Sequence, residues 1–237
     1  MKIEIKKTKE EGVIQITTVD ERWYQKEDEF VPSVTWIAGY YPKGIGFYKW
    51  LANKGWEEAE AIKQAAGDKG SKVHKAVEDL ILGKEVKMDS VYADSNGEES
   101  ELTVEEWECV MSFVDWWKEV KPELIKAEHT VFAKKYAGTV DLLCKIGEET
   151  WIVDFKTSSE VWPEYELQVS AYKHAIPEAQ KAGILQLNYK RNKIKKYKFT
   201  EVEDKYHLFE SAYLVWENEN KGVQPKQKDY PVSLSLK

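Results

Sequence analysis

The chain has little cysteine, no long apolar run and no surplus of positive charge. Its two cysteines, Cys109 and Cys144, lie far apart and form no CxxC pair or four-cysteine set. That excludes a zinc ribbon or an iron–sulfur cluster built from this chain alone. It leaves two reduced thiols, with Cys144 packed in a strand. No stretch reaches the ~18 apolar residues of a membrane span. Met1-Lys2-Ile3-Glu4-Ile5-Lys6-Lys7 carries no apolar signal core, so a cytoplasmic protein with no membrane partner is expected. A Walker A glycine–lysine pattern is also missing, so no nucleotide cofactor and no motor activity are expected. The formal net charge is −7, so any contact with a polyanion requires a local basic face.

Ring-bearing side chains are abundant instead. The ten Trp and thirteen Tyr can fill a core or stack on flat ligands. A length of 237 residues suits one domain with an ample core. Residues 13–18 read as a short strand that 22–24 can pair with. Pro32-Ser33 opens a helix through Ile37, with Ser33 as N-cap. Residues 47–66 read as helical with a break at Gly55. Residues 70–82 repeat apolar side chains at Val73, Val77, Leu80 and Ile81, a helical period that Gly83 ends. The polar, acidic segment 84–101 reads as a loop. Thr103-Val104-Glu105-Glu106 is a capping box starting a helix to about Val120, with Trp107, Val110, Met111, Val114 and Trp117 as its core stripe.

Strands follow at 124–133, 137–146 and 150–156, with a turn at Gly147-Glu148-Glu149. A helix is expected over 163–178, started by Pro163 and ended by Pro177. Residues 184–190 and 194–200 read as a hairpin across Arg191-Asn192-Lys193, and 203–219 as a last helix. The tail from Gly222 is polar. The expected architecture is an α/β core with an all-helical N-terminal cap.

Two short segments carry the chemistry: Gly138-Thr139-Val140-Asp141 and Asp154-Phe155-Lys156. Each sits on a predicted strand. Two neighbouring acids at strand ends are costly unless a cation neutralises them. Mg²⁺ and Mn²⁺ prefer such hard oxygen ligands. Positions 154 and 156 leave the same face of a sheet, so Lys156 points toward the site that Asp154 helps to build. There it can hold a water or balance charge on a phosphorane-like transition state. The Phe155 carbonyl is a further natural metal ligand.

In order, Gly-x-x-Asp, Asp-x-Lys and then Gln168-Val169-Ser170-Ala171-Tyr172 resemble the PD-(D/E)XK nuclease superfamily, most closely its RecB-type exonuclease branch. Pro32-Ser33-Val34-Thr35 and Tyr48-Lys49-Trp50 resemble the subgroup containing mitochondrial genome maintenance exonucleases and phage relatives. The resemblance spans roughly residues 32 to 200. It implies a restriction-endonuclease-like core, a mixed central sheet flanked by helices. A strand and helical cap part would occupy 1–122, the catalytic core 123–220 and a tail 221–237, all one nuclease domain. It also implies a Mg²⁺- or Mn²⁺-dependent deoxyribonuclease acting on DNA that is single-stranded or has a free end. Asp141, Asp154 and Lys156 would be catalytic, assisted by Gln168 and Tyr172, which share a helix face. His74 on the upstream helix would complete the metal site of Asp141, Asp154 and the Phe155 carbonyl, with Glu78 one turn on as a further ligand. A recombinase or helicase partner is compatible with this branch. An endonuclease cutting branched DNA on the same fold, and a non-cleaving accessory subunit, are the alternatives.

Glu128 is either a further acid of this site or an ordinary acid at the start of a strand. Lys190, Arg191, Lys193 and Lys195, interleaved with Tyr189 and Tyr197, either grip phosphates or form a solvated hairpin tip. Lys43, Lys49 and Lys54 with Trp36, Tyr40, Tyr41, Tyr48 and Trp50 are either a wall for stacking a single strand or the aromatic core of a small helical layer.

Overall fold

A computed structural model describes residues 3–18, 21–191, 195–225 and 235–236. Three strands form where the sequence turns β-rich: β7 (Glu123–Phe132), β8 (Ala137–Ile146) and β9 (Glu149–Lys156). They make an antiparallel meander, with Gly147 at positive φ in the β8–β9 turn. The chain crosses over through α5 (Pro163–Ala175) into β10 (Lys181–Leu187), which pairs parallel to β9. It then folds back as β11 (Tyr197–Glu201), antiparallel to β10. The result is a five-stranded mixed sheet in the order β11-β10-β9-β8-β7.

Helices cover both faces. On β9, Trp151, Val153 and Phe155 join a core with Val73, Val77, Cys109, Phe113 and Trp116. The first pair lies on α3 (Trp56–Ile81) and the other three on α4 (Val104–Val120). Ile152 faces the other way, into a core with Leu167 and Ala171 of α5, Phe209 and Trp216 of α6 (Tyr206–Glu219), and Val34 and Ile37 of α1 (Val34–Ala38). Period-2 alternation on a strand covered on both sides makes β9 almost wholly apolar up to its C-terminal end. Asp154 breaks the run there. The thiols of Cys109 and Cys144 are both free and buried.

The caps act as expected. The Ser33 hydroxyl accepts from the Trp36 amide at 3.1 Å. Thr103 and Glu106 exchange the two bonds of a capping box. Glu106 also takes the buried Lys72 ammonium at 2.8 Å, and Lys72 donates to the Glu101 carbonyl at 2.6 Å. This buried ion pair locks α3 to the start of α4, two residues before His74.

Several expectations need correction. The N-terminal part is not all-helical. A four-stranded antiparallel meander, β1 (Glu4–Lys7), β2 (Val13–Thr17), β3 (Arg22–Lys26) and β4 (Glu29–Pro32), precedes α1. It joins the central sheet through a Ser33–Ala137 bridge. β1 is exposed along its whole length, so it carries no apolar signal, and its order comes from pairing with β2. The helices expected to either side of residue 67 are one helix, α3, running through Gly67 and Gly70. The ~1 kcal/mol cost of each helical glycine is outweighed by burial further along the same helix. Residues 91–93 and 99–101 of the expected loop pair as a hairpin, β5 (Val91–Ala93) and β6 (Glu99–Glu101). The Asp94 carboxylate accepts from the Asn96 and Glu98 amides in its turn.

On α4 the fully buried residues are Cys109, Val110, Phe113 and Trp116, whereas Met111 is exposed. The contact stripe is rotated toward a cysteine and a phenylalanine, because the helix packs on both α3 and the sheet. α5 ends at Ala175, before Pro177, and α6 begins at Tyr206. Finally, α2 (Ile45–Lys54) contains no buried residue, so Tyr48 and Trp50 are not the core of a helical layer. Trp36, Tyr40 and Tyr41 of that set do pack against the larger core. Trp36 packs edge-on against Trp23 and Trp216, with centroids 5.2 Å away in both cases.

Candidate active site

The β8–β9 turn sets the register that matters. Leu142 pairs with Val153, and the next position along places Asp141 opposite Asp154, where the two strands begin to part. Asp141 does not hang free. Its Oδ2 accepts the Phe155 amide at 2.7 Å, and its Oδ1 lies 3.3 Å from His74 Nδ1. On the other side of β8, Glu128 of β7 falls between the Ala127–Leu142 and His129–Val140 pairs, again opposite Asp141. Glu128 has φ +50°, a left-handed conformation that a non-glycine residue adopts only when its surroundings impose it. One ligand atom each from His74, Glu128 and Asp141 lie within 4.8 Å of one another.

The electrostatics are those of acids crowded in a dry place. Burial, then the Asp141 charge, raise Glu128 from 4.5 to about 7. Burial and the same neighbour raise Asp154 to about 6, against the pull of Lys156. Burial opposes charge on His74, but its ion pair and hydrogen bond with Asp141 prevail and raise it to about 9. Asp141 stays below the usual carboxylate range because His74 and Lys156 outweigh its desolvation.

Lys156 is the second half of the site. Its Nζ lies 2.6 Å from Asp154 Oδ2 and donates to Gln168 Oε1 at 3.3 Å. It also sits 4.7 Å from the centroid of the Tyr165 ring. Asp154 is 2% exposed. Beyond Lys156, its buried Oδ2 has no hydrogen-bond partner among the described residues. Gln168 in turn donates to the Tyr172 hydroxyl at 3.2 Å. The i, i+4 pair on α5 therefore shares a face, as its spacing implied, and reaches the lysine through Gln168. Burial disfavours the ammonium, but Asp154 and Asp141 outweigh this and hold Lys156 charged above its ordinary range.

Gly138 has a steric role. A Cβ there would lie 2.6 Å from Tyr172 Cε1 and 2.9 Å from its hydroxyl. Only a residue with no side chain lets the tyrosine lie against β8. On the same strand, the Thr139 hydroxyl meets Tyr24 from β3 at 3.4 Å, which ties the N-terminal sheet to the site.

The structure brings together His74, Asp141, Asp154, Lys156, Gln168 and Tyr172. The Phe155 ring packs edge-on to His74, with centroids 6.0 Å apart. Glu78 is placed differently from the expected ligand role. Its carboxylate is engaged by Lys9 and by Lys75, the latter at 2.6 Å. Despite burial, these two ammoniums lower its pKa. Glu128 takes the place beside His74 and Asp141 that the sequence reading had offered to Glu78. The place of Glu128 as a further acid of this site has its basis in hairpin register, since the position facing Asp141 across β7–β8 is 128. No local signal points to Lys9, which also donates to the Ala127 carbonyl at 3.2 Å.

The basic cluster is neutralised where it is described. Lys190 pairs with Glu105 at 3.3 Å, Arg191 with Glu160 and Lys195 with Glu119. Lys193 lies outside the described residues. These pairs are exposed and worth little each, so they can exchange a carboxylate for a phosphate.

The donor set suits a divalent cation. Two carboxylates and one imidazole, those of Glu128, Asp141 and His74, meet within 4.8 Å. Asp154 stands outside that group with a buried oxygen held only by an ammonium. Glu128 and Asp154 have raised pKa values that a cation would relieve. Oxygen-rich ligation of this kind fits Mg²⁺ or Mn²⁺, and the imidazole favours Mn²⁺ of the two. No family model matches the chain, and no curated protein matches it. No helix among the described residues is long and apolar enough to cross a membrane.

Proposed function

We propose that the chain is a metal-dependent phosphodiester hydrolase whose five-stranded sheet is the restriction-endonuclease-like core implied by its motifs. More narrowly, we infer that it is a DNA exonuclease of the RecB-like class. The observation that carries this reading is the meeting of two sets of side chains. The cation-ready cluster of His74, Glu128 and Asp141 adjoins the Asp154–Lys156–Gln168–Tyr172 chain. Binding a metal for structure alone would not require a buried lysine beside the acids.

Asp141, Asp154, Glu128 and His74 would hold Mg²⁺ or Mn²⁺, with the Phe155 carbonyl as a further oxygen. When bound, the cation supplies Lewis-acid stabilisation of charge on the phosphate and eases ionisation of water. The chain's own residues do the positioning. Lys156, kept cationic by Asp154 and Asp141, donates to an attacking water or to a non-bridging phosphate oxygen. Gln168 fixes that ammonium from α5, and Tyr172 fixes Gln168. The His74–Asp141 pair must give up the imidazolium proton before the imidazole can ligate, so loading consumes base. In-line attack would form a P–O bond to the water's oxygen as the bond to the leaving oxygen breaks; the water would lose its proton to solvent and the leaving oxygen would take one from solvent.

The test is purified protein with end-labelled single- and double-stranded DNA in Mg²⁺, Mn²⁺ or EDTA, alongside a circular substrate. Cleavage of linear DNA that stops in EDTA and in Lys156→Ala is expected, with circles left whole. Cutting of circles would favour an endonuclease. DNA binding without turnover under any metal would make the chain an accessory subunit. Activity that survives EDTA or Lys156→Ala would refute the mechanism.

A further inference from the structure

The most unusual surface of the molecule is α2. It packs chiefly against α3, buries none of its ten residues and presents Ile45, Phe47, Tyr48 and Trp50 to solvent. Tyr48 is 54% exposed and Ile45 71%. The rings form a cluster, with Phe47 to Tyr48 at 5.6 Å and Phe47 to Trp50 at 5.9 Å. Contiguous exposed apolar surface of this kind marks a binding face.

Charge indicates the occupant. The whole chain has a net charge of −7, yet α2 contains Lys49 and Lys54 and no acid, and Lys43 lies just before it. Lys54 is paired with Glu58 at 2.7 Å, which leaves Lys49 as the cation among the rings. Aromatic rings interleaved with lysines fit a partner whose flat faces alternate with negative charges along its length, as the bases and phosphates of a nucleic-acid strand do. The face also runs into the candidate active site through touching groups. Lys43 lies 5.9 Å from the Phe47 centroid and pairs with Glu164. Glu164 lies in the first turn of α5 next to Tyr165, the ring that flanks Lys156. Trp162, the half-exposed N-cap of α5, stands at the same end.

We propose that the Phe47–Tyr48–Trp50 face of α2 is a stacking platform for single-stranded nucleic acid, and that it leads the strand past Lys43 and Tyr165 to Lys156. Bases stack on the rings without sequence preference, and Lys49 meets the backbone. The inference extends the nuclease reading, from which it takes the direction of the strand.

The experiment measures fluorescence anisotropy of a labelled 30-nucleotide single strand in EDTA, so that binding is read without cleavage. Wild type is compared with a Phe47→Ala, Tyr48→Ala, Trp50→Ala triple variant, with Tyr48→Ala alone and with Lys49→Ala. Because these side chains are exposed, melting temperatures should stay near wild type, and Tyr48→Ala alone guards against a misfolded triple variant. The triple variant should bind at least about tenfold more weakly and Tyr48→Ala several-fold more weakly. Lys49→Ala should lower the salt slope by roughly 0.7, the value of one phosphate contact on a single strand. Unchanged binding in all three variants overturns the proposal. So does a wild-type protein with no affinity for single strands, or a dimer that the triple variant splits while DNA binding persists. Platform-dependent binding with no cleavage under any metal would remove the nuclease reading and leave this one standing.

Discussion

A single methyl group added at position 138 should disable the candidate site without altering any charged residue. In Gly138→Ala the new Cβ would meet Tyr172 Cε1 at 2.6 Å, its hydroxyl at 2.9 Å and Cζ at 3.1 Å. Carbon atoms in contact prefer ~3.5–4.0 Å, so strand or ring must give by about 1 Å. Neither has room. Tyr172 is 2% exposed and packs in the larger core with Val140, Val169 and Ala171. Overpacking of this kind costs about 1–3 kcal/mol. For a protein of this size that lowers the melting temperature by roughly 2–12 °C. The displacement also passes along the hydrogen bonds from Tyr172 to Gln168 and from Gln168 to Lys156. A misplacement of about 1 Å can cost on the order of 100-fold in rate.

Thermal melting and cleavage of linear DNA would be measured together. Tyr172→Val in the Gly138→Ala background removes the offending ring and should recover part of the lost stability. Tyr172→Phe keeps Cε1 and should recover little. Gly46→Ala, whose Cβ meets nothing within 4 Å, is the control, and on a helix it should be neutral or slightly stabilising. Wild-type melting and activity in Gly138→Ala would refute the reasoning. So would simple additivity, within about 0.5 kcal/mol, between Gly138→Ala and Tyr172→Val.

In EDTA the protein should lose stability as pH rises from 4 to 9. Asp154, Glu128 and His74 have folded pKa values raised to about 6, 7 and 9. Each therefore stabilises the fold fully only below its ordinary value, and that contribution is lost as pH climbs through the raised one. Mn²⁺ should flatten or reverse the decline by neutralising the acids, and Glu128→Gln should flatten it between pH 4.5 and 7. A melting temperature in EDTA that is level or rises with pH contradicts this account. Lys156→Ala should cut turnover by about 100- to 1000-fold while Mn²⁺ affinity by titration calorimetry is retained. An equal loss in both would make the lysine a structural prop. Lys9→Met should weaken Mn²⁺ binding by roughly tenfold, because Lys9 joins Glu78, one turn beyond His74, to the carbonyl preceding Glu128. Its exposed ion pair makes the accompanying change in melting small, and Lys9→Arg should restore affinity.

Much of the fold is legible because its determinants are local. Ser33 and the Thr103 capping box start helices with hydrogen bonds that reach three residues. Gly55 and Gly83 end them at positive φ. Asp141 and Asp154 are equidistant from the Gly147-Glu148 turn, so a tight hairpin alone sets them face to face, and Asp154 and Lys156 share a side by the period of a strand. Four residues after Gln168, a helical turn brings Tyr172 back to the same face.

The remaining features depend on what the chain meets at a distance. The exposed strand β1 carries no hydrophobic code and is ordered by its partner. The face that α4 buries depends on α3 and the sheet together, which is why Met111 is out and Cys109 in. The sequence by itself determined the strands β7 to β9 of the central sheet, the caps and the order of acids and lysine along them, since these are set by interactions within a few residues. Only the tertiary structure decided that Glu128 and not Glu78 stands beside His74 and Asp141. That choice follows from Lys9, which arrives from the N-terminal sheet and with Lys75 neutralises Glu78, and leaves the desolvated carboxylate of Glu128 beside His74 and Asp141.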